Sequence, residues 1–182
     1  MRDLSLHILD LIENSIRAQA TVVQVTIVEN RAQDVLQVLI EDNGPGLSVP
    51  ADVATNPFYT TKSGKRIGLG LSLLRAASEQ AGGHLILAQS RLGGLAVKAT
   101  MRLSHVDRTP LGDLAATFSS VVCTNPGLDL CVRLCLDDQE HIVRAADVAR
   151  ELPANERGGL TIARRVSDRV KNALASATVM AV

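Results

Sequence analysis

The order of patterns in the first 42 residues constrains the fold more than any other feature of the chain. Apolar residues recur at helical spacing over residues 4–18, which predicts an amphipathic helix. Residues 21–30 and 34–42 are rich in β-branched side chains and are separated by a short polar turn, which predicts two strands paired as a hairpin. A helix followed at once by a hairpin indicates an α/β arrangement.

The rest of the chain continues to alternate between helical and strand patterns. The later predicted helices cover 68–83, 111–123, 145–151 and 156–174, and the later predicted strands cover 84–90, 95–103, 128–136 and 140–144. The composition changes after "SHVDRTPLGD" at 104–113. We therefore expect a two-layer α/β sandwich, with a mixed sheet and helices on one face, over residues 1–104, and a small C-terminal α/β domain of unassigned role over 105–182.

Composition excludes several classes of function. The chain has 182 residues with 19 basic and 19 acidic side chains, so its formal net charge is zero and bulk electrostatic attraction to nucleic acid is not expected. With no Trp, one Tyr and two Phe, it cannot build an aromatic platform for single-stranded nucleic acid. Charged residues interrupt the N-terminal segment, which predicts neither a signal peptide nor a membrane span, and a cytoplasmic location is expected.

A glycine-rich turn follows the second predicted strand in the stretch "IEDNGPGL", residues 40–47. Asp42 lies where the strand ends, and its carboxylate can accept a hydrogen bond from an exocyclic amine. Gly44 and Gly46 lack side chains, so the backbone can approach a flat ligand closely. The alternative for this motif on its own is a simple hairpin connection.

The first helix carries a pair of polar residues, Asp10 and Asn14, at a spacing of four. Residues at this spacing lie on the same face of a helix. The amide oxygen of Asn14 is a suitable ligand for Mg²⁺, and Asp10 can orient or deprotonate an attacking group. A solvated helix face is the ordinary explanation for such a pair when nothing else supports a site.

Residues 47–67 are predicted to form a long loop, a feature that is uncommon unless it has a function. The loop includes "NPFYTTK", in which Thr60, Thr61 and Lys62 offer hydroxyl groups and an ammonium to phosphate oxygens. Immediately after it, Gly68 and Gly70 open a predicted helix, whose N-terminal amides favour phosphate.

Taken together, these stretches resemble the GHKL ATP-binding superfamily, which includes gyrase-type topoisomerases, the heat-shock chaperone ATPase, sensor histidine kinases and mismatch-repair ATPases. The stretch "LDLIENSIRAQAT" resembles the N box and "EDNGPGL" the G1 box. "NPFYTTK" resembles the F box of histidine kinases, and "RIGLGLSLL" the G2 box. All four occur in the order typical of the superfamily, within residues 3–103.

The resemblance implies a role for each matching residue. Asn14 would bind the Mg²⁺ that bridges the ATP phosphates, and Asp42 would accept a hydrogen bond from the adenine amino group. Gly44 and Gly46 would leave room for the base, and residues 47–67 would be the ATP lid. The residues implied to lie at the phosphates are Thr60, Thr61, Lys62, Gly68, Leu69 and Gly70.

Asp10 stands where ATP-hydrolysing and serine-kinase members of the superfamily carry a glutamate base, and we expect it to be the catalytic base here. The chain also departs from the family pattern. Arg66 replaces the first glycine of the run found in many histidine kinases, and Gly94-Leu95 replaces the usual Gly-Thr before the last strand.

The chain resembles more closely a group of small stand-alone bacterial ATP-binding proteins, which share "DLSLHILD" and "LSHVDRTPLGD" and are often encoded beside iron-hydrogenase or NADH-oxidising subunits. The predicted N box begins close to Met1, so no histidine-kinase dimerisation domain is expected before it. Three functions remain open: a protein kinase acting on a partner, a slow ATPase that drives a partner, or a non-catalytic ATP/ADP sensor or assembly module for a redox enzyme complex. A second copy of the chain is also a candidate partner.

Overall fold

A computed structural model describes residues 3–47, 54 and 69–179. The described helices are α1 (Leu4–Arg17), α2 (Leu69–Gln80), α3 (Leu114–Thr124), α4 (Ala145–Glu151) and α5 (Gly159–Val179), with a short 3₁₀ turn at Ala154–Glu156. The described strands are β1 (Val22–Asn30), β2 (Val35–Asp42), β3 (His84–Gln89), β4 (Leu95–Arg102), β5 (Asp129–Leu136) and β6 (Gln139–Arg144).

Helix α1 begins at a side-chain cap and is fixed to a distant part of the chain. The Asp3 carboxylate accepts a hydrogen bond from the backbone N–H of Leu6 at 3.1 Å, which satisfies one of the free amides of the first turn. The backbone N–H of Leu4 donates to the carbonyl of Pro110 at 2.8 Å, and that of Ser5 donates to Leu111 at 2.9 Å. The segment that follows β4 therefore fixes the position of the helix that carries Asp10 and Asn14.

The strands form one mixed sheet in the order β3-β4-β2-β1-β5-β6. Strands β1 and β2 are an antiparallel hairpin in which Val25 faces Ile40, as predicted. Strand β5 lies parallel to β1, with Val132 beside Val25, so the sheet contains both orientations. The predicted α/β architecture with a mixed sheet is confirmed.

The segment after residue 104 contributes its strands to the same sheet. Strand β5 pairs with the free edge of β1, and β6 pairs with β5 in antiparallel orientation. The pairing satisfies backbone groups along β1 that would otherwise form an exposed sheet edge. The sheet therefore spans both parts of the predicted division near residue 104, and that division itself stays a prediction.

The core lies between the helices and one face of the sheet. Val25, Ile27 and Val132 are fully buried on that face, and Leu4, Ile8 and Ile12 are buried on the facing side of α1. On the opposite face Lys98 and Arg133 remain partly exposed. Among the helices of the described ranges, none combines the length and apolar character needed to cross a bilayer.

Candidate functional site

Asp42 ends strand β2 as a buried carboxylate, with only 5% of its surface exposed. Its Oδ1 accepts hydrogen bonds from the backbone N–H of Gly44 at 2.9 Å and of Leu95 at 3.1 Å. Its Oδ2 accepts a hydrogen bond from the hydroxyl of Ser15 at 2.7 Å. Three elements, the turn after β2, the start of β4 and helix α1, therefore converge on one side chain.

Gly94 allows this convergence because a side chain at its position has no room. A Cβ at Gly94 would lie 2.1 Å from Asp42 Oδ1 and 2.6 Å from the backbone nitrogen of Gly44. The N–H of Gly94 also donates to the carbonyl of Asp42 at 3.0 Å, which brings the two backbones together. Gly46 adopts a left-handed conformation with φ of 76°, which glycine tolerates without strain.

Asn43 fixes the turn to the beginning of β1. Its amide oxygen accepts hydrogen bonds from the backbone N–H groups of Thr21 and Val22, both at 2.9 Å. Its amide nitrogen donates to the hydroxyl of Thr21 at 2.9 Å. No role is predicted for Asn43 from the sequence, although asparagine is a frequent partner for backbone groups near turns.

The second group of polar side chains lies on the half-exposed face of α1. Asn14 Nδ2 is 3.4 Å from Asp10 Oδ2, so the two residues are neighbours as their spacing predicted. The guanidinium of Arg17 donates to Asn14 Oδ1 at 2.6 Å. It also lies 3.5 Å from the carboxylate of Glu13 and 4.0 Å from that of Asp10. The amide oxygen of Asn14 is therefore already accepting a hydrogen bond from a cation.

The beginning of α2 lies against Asp10. A Cβ at Gly70 would lie 1.8 Å from Asp10 Oδ2, so this carboxylate occupies the space that a side chain on Gly70 would fill. Leu69 is the first described residue of α2. Thr60, Thr61, Lys62 and Gly68, and with them most of the predicted lid, lie outside the described residues.

His7 is a buried histidine one helical turn before Asp10, with 3% of its surface exposed. Its Nδ1 has no hydrogen-bond partner within the described part of the chain. Burial lowers the pKa of the imidazole, because a buried charge is costly, whereas the carboxylates of Asp10 and Asp3 act in the opposite direction. The folded protein therefore favours the neutral form of His7, which lies on the core side of α1.

The residues around Asp42 at one end of the candidate site and around Asn14 at the other fit a bound Mg·ATP. A carboxylate offers about four acceptor positions. Three of those of Asp42 are used, which leaves one on Oδ2 for an amine. The amide oxygen of Asn14 is a ligand type that Mg²⁺ accepts, and Arg17 uses one of its two acceptor positions. Asn14 and Ser15 are adjacent in α1, so one turn of helix carries a contact to each end of the region.

Comparison with known proteins places the first part of the chain in a family. The profile of the family described as "Histidine kinase-, DNA gyrase B-, and HSP90-like ATPase" matches residues 2–105. Over 58 residues the chain is 38% identical to the sensor protein CitS of Halalkalibacterium halodurans, a match that covers 30% of this chain and 10% of the relative. The chain thus spans about a tenth of the length of that curated relative.

Two solved structures are also similar to the chain. One is the ATP binding domain of PrrB from Mycobacterium tuberculosis, with 26% identity, a TM-score of 0.40, and coverage of 54% of this chain and 67% of that one. The other is the N terminal domain of a DNA repair protein, with 13% identity, a TM-score of 0.43, and coverage of 80% of this chain and 52% of that one.

Proposed function

Because the chain belongs to the family of histidine kinase-, DNA gyrase B- and HSP90-like ATPases, we propose that it binds ATP together with Mg²⁺ and transfers the terminal phosphoryl group slowly, in the service of a partner protein. The observation that carries the proposal is the arrangement at Asp42. A buried carboxylate is surrounded by close-packed glycine backbone and keeps one acceptor position free. The amino group of a planar base would satisfy that position. The three fixed donors compensate the carboxylate for its burial.

At the phosphate end, Asn14 would bind the Mg²⁺ that accompanies the nucleotide. Asn14 lies within one helical turn of Asp10. The guanidinium of Arg17 beside it supplies a positive charge for the phosphate oxygens. The hydroxyls of Thr60 and Thr61, the ammonium of Lys62, and the backbone amides of Gly68, Leu69 and Gly70 are the proposed phosphate contacts. When bound, Mg²⁺ neutralises charge on the phosphate oxygens, which is the main requirement for phosphoryl transfer.

Asp10 is the proposed base. In the transfer step, a hydroxyl or water oxygen forms a bond to the terminal phosphorus while the bond to the bridging oxygen of ADP breaks. Asp10 then receives the proton from the attacking oxygen. Asp10 is suited to this role because its carboxylate is half-exposed and lies beside both Asn14 and the first turn of α2.

The proposed partner is a protein that provides the hydroxyl or responds to the nucleotide state, and the proposed location is the cytoplasm. The alternative function is a nucleotide sensor or assembly module without turnover. The Arg17 contact to Asn14 is the observation that favours it, because the guanidinium already donates to the oxygen that would bind Mg²⁺ and its positive charge opposes the metal ion. A second copy of this chain is a further candidate partner.

Isothermal titration with a non-hydrolysable ATP analogue and Mg²⁺ tests the binding site. We expect Asp42→Asn and Asn14→Ala each to lower the affinity at least about a hundredfold, because each removes a contact to one end of the nucleotide. Asp10→Asn is the matched variant that keeps the binding contacts, so its affinity should stay within about threefold of the wild type. Unchanged affinity in both Asp42→Asn and Asn14→Ala would contradict the site assignment.

An assay with ATP labelled on the terminal phosphate separates the proposed activities. Label on an added partner indicates a kinase, and free labelled phosphate indicates an ATPase. In either case Asp10→Asn should remove the product while leaving the analogue bound. Nucleotide binding with no product in the presence of candidate partners would replace the catalytic proposal with the sensor function.

A further inference from the structure

Ser15 forms a contact that its position in α1 does not explain. It is buried, with 5% of its surface exposed, and its hydroxyl lies 2.7 Å from Asp42 Oδ2. The two residues are 27 positions apart, so the contact crosses from the helix layer to the end of a sheet strand. The sequence interpretation assigned no role to Ser15.

The ordinary role for a buried helical serine is a hydrogen bond to the carbonyl four residues earlier. Such a carbonyl is in reach, because Ser15 Oγ is 3.3 Å from the oxygen of Leu11. A hydroxyl has only one proton to donate, and the Asp42 carboxylate is both nearer and charged. The proton of Ser15 therefore belongs to Asp42.

The direction of this hydrogen bond determines what Asp42 can still bind. The backbone N–H groups of Gly44 and Leu95 occupy both acceptor positions of Oδ1. Ser15 occupies one position of Oδ2 and thereby fixes the rotation of the carboxylate about its last bond. The donors of the described residues leave one acceptor position of Asp42, with a defined direction, and an amine of a ligand can displace water to satisfy it.

We infer that Ser15 is a positioning residue for base selectivity: its hydroxyl holds Asp42 so that the site prefers purine nucleotides that carry an amino group at the position facing Asp42. The inference rests on the proposed function, because it concerns the same nucleotide site. It adds a residue that acts through Asp42 and makes no contact with the nucleotide itself. Since Ser15 adjoins Asn14, the same helical turn holds the residue that positions Asp42 and the proposed Mg²⁺ ligand.

The test compares two nucleotides that differ only in the amino group. The affinities of the full chain for ATP and for purine riboside triphosphate, which carries hydrogen in place of the 6-amino group, are measured by titration in the presence of Mg²⁺. In the wild type we expect ATP to bind about tenfold more tightly or better, since a hydrogen bond to a charged group discriminates by about this factor. In Ser15→Ala the ratio should fall at least about threefold, through weaker ATP binding, while the affinity for purine riboside triphosphate changes less than about twofold.

Ser78→Ala is the matched control. Ser78 is also a fully buried helical serine, and its hydroxyl donates to the carbonyl of Leu74 four residues earlier at 2.8 Å. Its replacement should leave the ratio of the two affinities unchanged even if the thermal stability falls. Ser15→Ala in an Asp42→Asn background should likewise have no further effect on the ratio, because Ser15 acts only through Asp42.

Each outcome decides the inference. Equal weakening of both nucleotides in Ser15→Ala, or an unchanged ratio, would show that Ser15 has only a packing role and would overturn it. If the alanine variant does not fold, Ser15→Cys keeps the approximate shape with a weaker donor, and an unchanged ratio in that variant would overturn the inference equally. A wild type that binds neither nucleotide contradicts the proposed function itself, whereas a wild type that binds both with equal affinity contradicts the selectivity alone.

Discussion

The two ends of the candidate nucleotide site are built differently. At the base end, Asp42 and Ser15 are each 5% exposed, and Asp42 already has three donors. At the phosphate end, the side chains of Asp10 and Arg17 are 31% and 48% exposed. There the oxygen that would bind the metal ion accepts a hydrogen bond from Arg17 instead.

The difference indicates that the two ends of the candidate site differ in how far they are ordered before a ligand binds. The base end is already ordered, so binding of a ligand with a matching amine would cost little free energy for ordering its side chains. The phosphate end is less prepared, because Arg17 uses one of the two acceptor positions of the Asn14 amide oxygen and its positive charge opposes a cation at the other. The base end is therefore expected to be intolerant of small steric changes, and the phosphate end to respond mainly to charge.

The largest effect is expected from Gly94→Ala, which places a methyl group in the rigid base end. Its Cβ would meet Asp42 Oδ1 at 2.1 Å and the backbone of Gly44 at 2.6 Å, and the backbone cannot move aside without breaking the turn. We expect nucleotide affinity to fall by about a hundredfold or more, which corresponds to roughly 2.7 kcal/mol. Titration with the ATP analogue measures the loss.

The same substitution at Gly70 tests whether the two ends of the candidate site differ in rigidity. The obstacle there is the far end of the Asp10 side chain, which is half-exposed and can rotate away. Binding should therefore fall less than about tenfold in Gly70→Ala, while turnover falls with the displacement of Asp10. Gly127→Ala is the control, because no heavy atom of the described residues beyond its chain neighbours lies within 4 Å of its added Cβ. A larger binding loss at Gly70 than at Gly94 would reverse the assignment of the rigid end.

An intermediate effect is expected from Arg17→Gln. Removing the guanidinium frees Asn14 Oδ1 and removes a positive charge that opposes a divalent cation. The ratio of ATP affinities with and without Mg²⁺ should rise by about threefold to tenfold, because ATP alone binds more weakly and Mg²⁺ binds more tightly. Arg31→Gln removes an arginine of similar side-chain exposure, 45% against 48%, from the turn between β1 and β2, at the end of β2 opposite Asp42, and should leave the ratio unchanged. A lower ratio in Arg17→Gln would show that Arg17 assists the cation and does not compete with it.

The smallest effect is expected from the pH dependence of His7. Burial lowers the pKa of this histidine in the folded protein below its ordinary value of 6.5. The unfolded chain therefore binds the proton more readily, and the stability that neutral His7 allows is complete above about pH 6.5 and is lost as the pH falls. Thermal melts from about pH 7.5 to about pH 5.5 should show a shallower loss of stability in His7→Gln than in the wild type. The exposed His84 provides the control variant His84→Gln, and an identical slope in both variants would contradict the role of His7.

The local elements were predictable because their periodicity is contained within each segment. The helix expected over 4–18 is Leu4–Arg17, and the strands expected over 21–30 and 34–42 are Val22–Asn30 and Val35–Asp42. The parallel pairing of β5 with β1 was not predicted, since it joins residues about 107 positions apart, Val22 with Asp129 and Val25 with Val132, and no local pattern encodes the partner.

The candidate site was predicted unevenly for the same reason. The nearness of Asp10 and Asn14 follows from helical spacing alone, and the contact of Arg17 with Asn14, three residues further on, was accessible to the same rule. The contact of Ser15 with Asp42 was not accessible, because a buried helical serine looks the same in sequence whether it binds its own helix or a distant carboxylate.

Local residue patterns are sufficient to predict the helices and strands, the family of the first part of the chain and a set of candidate residues for nucleotide binding. These depend on side-chain type and short spacing, and both are present in the primary structure. Three further facts come from the fold: the donors of the described residues leave Asp42 a single acceptor position, Gly94 has no room for a side chain, and Arg17 donates to the oxygen of Asn14. Each of these depends on where groups from separate elements meet, and packing sets those distances.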